Sequence, residues 1–217
     1  MQLNNTMRYE RKFRLETTQL NVVHQVVRQH PASFTKAYPD RQVNNIYFDT
    51  PDLNCYKDNL IGISQRKKFR VRWYGTTDRL VKKPVLEVKI RDNSLGDKES
   101  YKLQDFQLSN LEELTDQVNQ HFSKRMELQP VLYNAYQRSY YESYNKQLRL
   151  TIDSEMNFRS AYSPLNLQNP PLEDPAVVVE LKYPSDQETW AADMMQYLPF
   201  RMTKNSKYVN GVMMTNS

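Results

Sequence analysis

Charged residues in this chain recur at two-residue spacing inside segments otherwise built for β-sheet. In RYERKFRL, near the start, Arg8, Glu10, Lys12 and Arg14 occupy every second position. Residues i, i+2 and i+4 of a strand share one face, so these four side chains point the same way. The pattern returns as Arg70/Arg72 in KFRVRWY, Glu87/Lys89 in LEVKI, Arg149/Thr151/Asp153 in LRLTID and Glu180/Lys182 in VVVELKYP. For a single strand, a solvated outer face is the simpler reading. Five segments with the same pattern in apolar surroundings argue against it. AVVVELKYP in particular is apolar on both faces, as a buried strand is, and Glu180 and Lys182 interrupt only one of them. If Glu10/Lys12, Arg70/Arg72, Glu87/Lys89, Tyr136/Arg138, Arg149 and Glu180/Lys182 faced one interior, that interior would have to be wet, because unpaired buried charges are costly. A barrel of about eight strands can enclose such a cavity.

Strands are expected at 7–15, 43–50, 65–75, 83–92, 97–106, 130–142, 147–153, 156–160 and 176–184, with a turn at NSLGD (93–97). Helices are expected over 17–29, with Thr17 or Thr18 as N-cap, over 51–60 with Pro51 near the first turn, over 109–122 with Ser109 as N-cap, and over 186–197. Two prolines make 30–41 a loop, and four more make 161–175 a loop or lid. The tail containing TKNSKYVNG closes the chain. No repeat or internal boundary is visible, so 217 residues read as one α+β domain. Its expected architecture is a large antiparallel sheet that closes on itself, with helices packed outside.

Composition excludes several classes. No apolar run approaches the roughly 18 residues of a membrane helix, and no secretion signal opens the chain. One cysteine, Cys55, rules out an internal disulfide and a cysteine-based zinc site, and points to a reducing cytoplasm. The net charge of +5 favours anionic partners, yet 25 acidic residues lie among 30 basic ones without a long basic run, so specific nucleic-acid binding is not expected. Only four glycines and no Walker A loop or D-F-G are present. His24, His30 and His121 lie in or beside expected helices and read as surface or packing residues. Trp73, Tyr74, Tyr140, Tyr141 and Tyr144 read as core or sheet-covering aromatics rather than base stackers, and Cys55 as structural.

The ordered motifs resemble the CYTH / triphosphate tunnel metalloenzyme superfamily, and within it the VTC domain of the polyphosphate-polymerase branch. Arg8-x-Glu10-x-Lys12 departs from the superfamily's E-x-E-x-K at its first position, which disfavours the adenylate-cyclase and thiamine-triphosphatase branches. IYFDTPDL (46–53), FRVRWYG (69–75), LEVK (86–89), GDK (96–98), SYK (100–102), YNAYQR (133–138), LRLTID (148–153), VELKY (179–183) and KNSKY (204–208) follow in family order. Together with the opening motif they span residues 7–208. Without the additional domains of the eukaryotic relatives, the chain resembles the stand-alone bacterial form.

The resemblance implies an eight-stranded antiparallel β-barrel tunnel, with helices packed outside, that takes ATP or another triphosphate, and polyphosphate, with a divalent metal, Mn²⁺ or Mg²⁺. Lys12, Arg70, Arg72, Lys89, Arg138 and Lys207 match the residues carrying catalysis. Lys102, Tyr136, Arg149, Lys182, Lys204 and Ser206 match phosphate-binding positions. Glu180 matches the metal carboxylate, with Glu10 and Glu87 as helpers, directly or through metal-bound water. The residue chemistry agrees: Arg grips two phosphate oxygens with its planar fork, Lys acts as a point charge, and phosphoryl transfer is mainly positioning and charge neutralisation. The implied activity is a phosphotransferase that builds polyphosphate from the γ-phosphate of ATP. Two alternatives use the same residues: a triphosphatase or tripolyphosphatase with water as acceptor, and a non-catalytic polyphosphate- or nucleotide-binding module.

Overall fold

A computed structural model describes residues 8–76, 80–92, 95–122 and 126–216. Its strands are β1 (Arg8–Leu15), β2 (Thr35–Asp49), β3 (Gln65–Tyr74), β4 (Leu80–Val81), β5 (Val85–Asp92), β6 (Leu95–Lys102), β7 (Phe106–Gln107), β8 (Gln129–Glu142), β9 (Arg149–Ser160), β10 (Leu172–Asp174) and β11 (Val177–Pro184). The helices are α1 (Leu20–Gln29), α2 (Asn54–Ile61), α3 (Leu111–Asn119), α4 (Glu188–Met195) and α5 (Lys207–Thr215). Eight strands make the main sheet in the order β1-β11-β9-β8-β2-β3-β5-β6, with β10 added beside β9 and β4 paired with β7. The α+β class with eight principal strands is therefore as expected. None of the described helices is long and apolar enough to cross a membrane.

The chain forms two compact units. One comprises Met1–Arg41, Tyr136–Met156 and Pro175–Asn205, the other Gln42–Ala135, Asn157–Asp174 and Ser206–Ser217. In the first, Phe13, Leu15, Leu150, Ile152, Val179 and Leu181 form a core with Val23 and Val27, the buried pair of α1 at i, i+4 spacing. In the second, Ile46, Phe48, Phe69, Val71, Leu86 and Val88 pack with Leu111, Leu114 and Val118 of α3. Each fully buried apolar side chain contributes roughly 1.5–3 kcal/mol. These residues alternate with the charged ones, so each core fixes which face of its strands carries the charges.

Several boundaries differ from expectation for local reasons. Helix α1 starts after Gln19, whose carbonyl accepts from Val22 N at 3.1 Å and Val23 N at 3.3 Å, and neither Thr17 nor Thr18 caps it. Strand β2 runs through Pro39, where a loop was expected, because its first half is exposed and a missing ladder donor costs little there. Pro51 precedes α2 instead of entering it, and Leu53 at φ 57° is the residue before the helix. Asn110, not Ser109, caps α3: its side chain accepts from Glu113 N at 3.2 Å and donates to Glu113 Oε2 at 3.1 Å. The two strands expected at 147–153 and 156–160 are one, β9, continued through Glu155 at φ 52°. The 161–175 stretch contains a 3₁₀ turn at Asn166–Gln168 and β10. Ser185–Gln187 forms a 3₁₀ turn before α4. The tail holds α5, capped by Ser206, whose Oγ accepts from Val209 N at 3.3 Å. The first two residues of the expected NSLGD turn lie outside the described residues.

Candidate functional site

In the first unit the charged faces of β1 and β11 meet in antiparallel register, with Glu10 opposite Lys182 and Lys12 opposite Glu180. The four side chains interlock. Lys12 Nζ lies 2.7 Å from Glu10 and 3.7 Å from Glu180, while Lys182 Nζ lies 2.6 Å from Glu180 and 3.9 Å from Glu10. Lys12 also donates to the Asn205 carbonyl at 3.3 Å. Glu180 is buried. Desolvation alone would favour its neutral form, but Lys182, Lys12 and Arg138 outweigh that and hold its carboxyl well below the usual range.

Arg138, on β8, is fixed by the fully buried Asp153 of β9 through a two-point fork, Nε–Oδ1 at 2.5 Å and Nη2–Oδ2 at 2.7 Å. Burial works against the guanidinium charge, yet the Asp153 carboxylate keeps its pKa raised well above an ordinary arginine's. Its guanidinium carbon lies 5.2 Å from the centroid of the Tyr136 ring. Thr151 sits opposite Glu180 in register, and its Oγ1 is buried with no hydrogen-bond partner among the described residues. A buried hydroxyl aligned beside an ionised carboxylate is suited to a polar ligand. Arg149 stands nearer the strand end, paired with Glu142 at 3.2 Å and more than half exposed. Lys204 is exposed in a segment tied to β1 by Thr203 N→Lys12 O at 2.8 Å and Arg14 N→Thr203 Oγ1 at 2.9 Å.

In the second unit the polar face of β3, β5 and β6 is organised by Glu87. Arg70 contacts its Oε2 through Nε and Nη2, both at 2.7 Å, Lys98 holds Oε1 at 2.7 Å, and Arg72 Nη1 lies 3.8 Å from Oε2. Burial raises the carboxyl pKa, but Arg70, Arg72 and Lys98 prevail and bring it to about 2. Arg72 is itself buried and donates to Asn45 Oδ1 at 2.8 Å. Lys89 and Lys102 are exposed on β5 and β6, with Lys89 paired in register to Lys98. Ser206 accepts from Lys68 Nζ at 2.9 Å, and Lys207 is the first residue of α5.

The expected residues thus fall into two groups, each described within its own unit. Glu10, Lys12, Tyr136, Arg138, Arg149, Glu180, Lys182 and Lys204 belong to the first. Arg70, Arg72, Glu87, Lys89, Lys102, Ser206 and Lys207 belong to the second. Sequence reasoning missed Asp153 and Thr151 as partners in the first group, and Lys68, Lys98 and Asn45 in the second. The signals were available in part. Asp153 and Thr151 share the spacing of Arg149, and Lys98 lies in the GDK motif.

The three histidines and Cys55 are engaged in local contacts. His24 Nδ1 meets the Tyr141 hydroxyl at 2.9 Å, His30 Nε2 meets the Met194 carbonyl at 3.0 Å, and the His121 ring lies 4.6 Å from that of Tyr101. Cys55 is buried, and burial together with Asp49 pushes its thiol pKa up, away from reactivity. Trp73 and Tyr141 are in the cores, while Tyr74 and Tyr144 are exposed.

A family model for the VTC domain matches residues 7–216. The chain belongs to the VTC domain family. It is therefore a VTC/CYTH triphosphate tunnel domain, a group that is generally enzymatic and takes triphosphate ligands. Among solved structures it is similar to one described as a putative adenylate cyclase from Vibrio parahaemolyticus, at TM-score 0.56 and 12% identity, covering 94% of this chain and 96% of that one. It is also similar to the PH1819 protein from Pyrococcus horikoshii OT3, at TM-score 0.52 and 12% identity, covering 95% and 96%. At such identity the likeness establishes the shared CYTH-like fold. No curated protein matches the sequence.

Proposed function

We propose that this VTC domain is a metal-dependent phosphotransferase that builds polyphosphate from the γ-phosphate of ATP. The observation that carries the reading is the group around Glu180, where an ionised carboxylate sits among Lys12, Lys182 and Arg138 beside the Thr151 hydroxyl, which has no hydrogen-bond partner among the described residues. Such a group offers both an acidic oxygen for a cation and several positive charges for phosphate. Mg²⁺ sites commonly use one or two protein carboxylates plus substrate phosphates. Glu10 and Glu180, linked through the same two lysines, fit that pattern. No set of three or more His, Cys, Asp or Glu among the described residues forms an all-protein cage. The donors therefore suit an ion shared with phosphate oxygens, which when bound would neutralise charge on those oxygens.

In the reaction, the bond between the γ-phosphorus and the oxygen bridging to the β-phosphate breaks. A bond to the terminal oxygen of the polyphosphate chain forms, and ADP leaves. Lys12, Lys182 and Arg138 offset phosphate charge in the first unit, with Arg149 and Lys204 as outer contacts. Asp153 fixes the fork of Arg138. Arg70, Arg72, Lys89, Lys102 and Lys207 bind phosphate in the second unit, and Glu87 holds Arg70 and Arg72 in place.

Incubation with γ-labelled ATP and Mn²⁺, resolved on a gel, tests the assignment. A ladder of labelled chains is expected. Glu180→Gln is expected to abolish the ladder while leaving polyphosphate binding, and a chelator should do the same to the wild-type protein. Free labelled phosphate without chains would replace the proposal with hydrolysis, and unchanged ATP with any divalent metal would leave a binding module.

A further inference from the structure

We infer that Tyr38, Arg41 and Tyr140 form a base-stacking platform beside Arg138, so that the first unit binds nucleoside triphosphates more tightly than inorganic tripolyphosphate. The inference rests on the proposed reading of that charged face as phosphate-binding. Tyr141 is buried in the core of the unit, so its neighbour Tyr140 faces the opposite way, on the side of Tyr136 and Arg138. Two residues along a strand separate Tyr140 from Arg138 by about 6.6–6.8 Å. A nucleotide held at Arg138 by a phosphate therefore has Tyr140 about one ribose further on.

The three side chains are arranged as a recognition surface, not as core. The rings of Tyr38 and Tyr140 meet edge to face, with centroids 5.8 Å apart and planes at 88°. The Arg41 guanidinium carbon lies 5.3 Å from the Tyr38 centroid and 5.8 Å from that of Tyr140. Tyr38 is 54% exposed and Arg41 is exposed, and none of the three belongs to the buried cluster of the unit. An exposed ring beside a guanidinium offers π and cation–π surface to a planar aromatic ligand. Every nucleobase has such a face, so the platform accepts purines without distinguishing them by hydrogen bonds. Tripolyphosphate lacks a base and gains nothing from it.

Calorimetric titration of the full chain with ATP, GTP and tripolyphosphate, each with Mg²⁺, tests this. In Tyr38→Ala/Tyr140→Ala, ATP and GTP are expected to bind about tenfold more weakly, given the usual worth of one base–aromatic stack. Tripolyphosphate binding should stay unchanged, which also shows the fold intact, and Tyr38→Phe/Tyr140→Phe should restore nucleotide binding. Unchanged ATP affinity in the alanine variant would overturn the platform while leaving the phosphate site standing. Equal loss for ATP and tripolyphosphate would overturn it too, because the effect would not depend on a base. Wild-type protein binding none of the three ligands would instead remove the phosphate site on which the inference rests.

Discussion

Glu87 illustrates how one carboxylate can order several cations. Arg70 and Lys98 hold its two oxygens, and Arg72 stands at 3.8 Å. Its pKa falls from 4.5 to about 2, and since each pKa unit corresponds to about 1.4 kcal/mol, it contributes on the order of 3 kcal/mol to stability at neutral pH. Because the folded value is the depressed one, this stability is present above the unfolded pKa near 4.5. It is lost as pH falls from there toward about 2. Glu87→Gln leaves three cations without their shared anion, so it should destabilise the protein at pH 7 by roughly 2–4 kcal/mol. The gap from wild type should narrow steadily between pH 4.5 and 3. Urea unfolding at pH 7, 4.5 and 3 measures both. Equal acid sensitivity in the two proteins would show that Glu87 is not the titrating group.

Helix α5 is the element whose placement most affects the second charged face, since it carries Ser206 at its cap and Lys207 at its first turn. It is held by Asp49, at the end of β2. Asp49 accepts from Thr50 N at 2.7 Å, Cys55 N at 2.9 Å and Tyr56 N at 2.8 Å, and also from the Tyr208 hydroxyl. One carboxylate therefore caps α2 and anchors α5. Burial beside Asp49 keeps the Tyr208 phenol protonated by raising its pKa. Further along α5, a Cβ on Gly211 would meet Leu132 Cδ2 and Phe158 Cδ1, both at 2.5 Å. In an exposed helix, Gly→Ala stabilises by up to about 1 kcal/mol. Here the sign reverses: Gly211→Ala is expected to cost about 1–3 kcal/mol through overpacking, read as a lower urea midpoint with unchanged slope. A stabilised variant would mean that α5 is not seated this closely.

This element also marks what the sequence did not disclose. Strands β1, β3, β5 and β11 were legible because charged and apolar residues alternate along them, and that alternation singled out Lys12, Arg70, Arg72, Lys89 and Lys182, half of the ten basic candidates. In KNSKYVNG, Asn205, Ser206, Asn210 and Gly211 have local preferences for turns. The helix forms because Ser206 caps it and Tyr208 reaches Asp49, a contact 159 residues away. Pairings such as Lys98 on Glu87 and Lys68 on Ser206 depend on register and helix docking, which spacing within one segment does not specify. Asp153 lay in a recognised motif, but its fork to Arg138 joins two strands.

At the scale of the whole molecule, charge is nearly balanced, with 30 basic and 25 acidic residues giving +5. Screening limits exposed charges to about 8 Å of influence at physiological salt, so so small an excess cannot retain a polyanion by diffuse attraction. Retention has to come from local groups such as Arg70 and Lys98 around Glu87. A linear polyanion releases counterions as its phosphates are neutralised, and the slope of log affinity against log salt reports how many. Arg70→Ala and Lys98→Ala should each reduce the polyphosphate slope by about one, by analogy with phosphate contacts in nucleic-acid binding. Lys146→Asn removes an equal charge from the exposed turn between β8 and β9 and should leave the slope unchanged. All three variants change the net charge by one, so a common reduction would mean that the summed field governs binding. A reduction confined to the first two would place the contacts at the Glu87 group, and an unchanged slope for Arg70→Ala would remove that residue from the site.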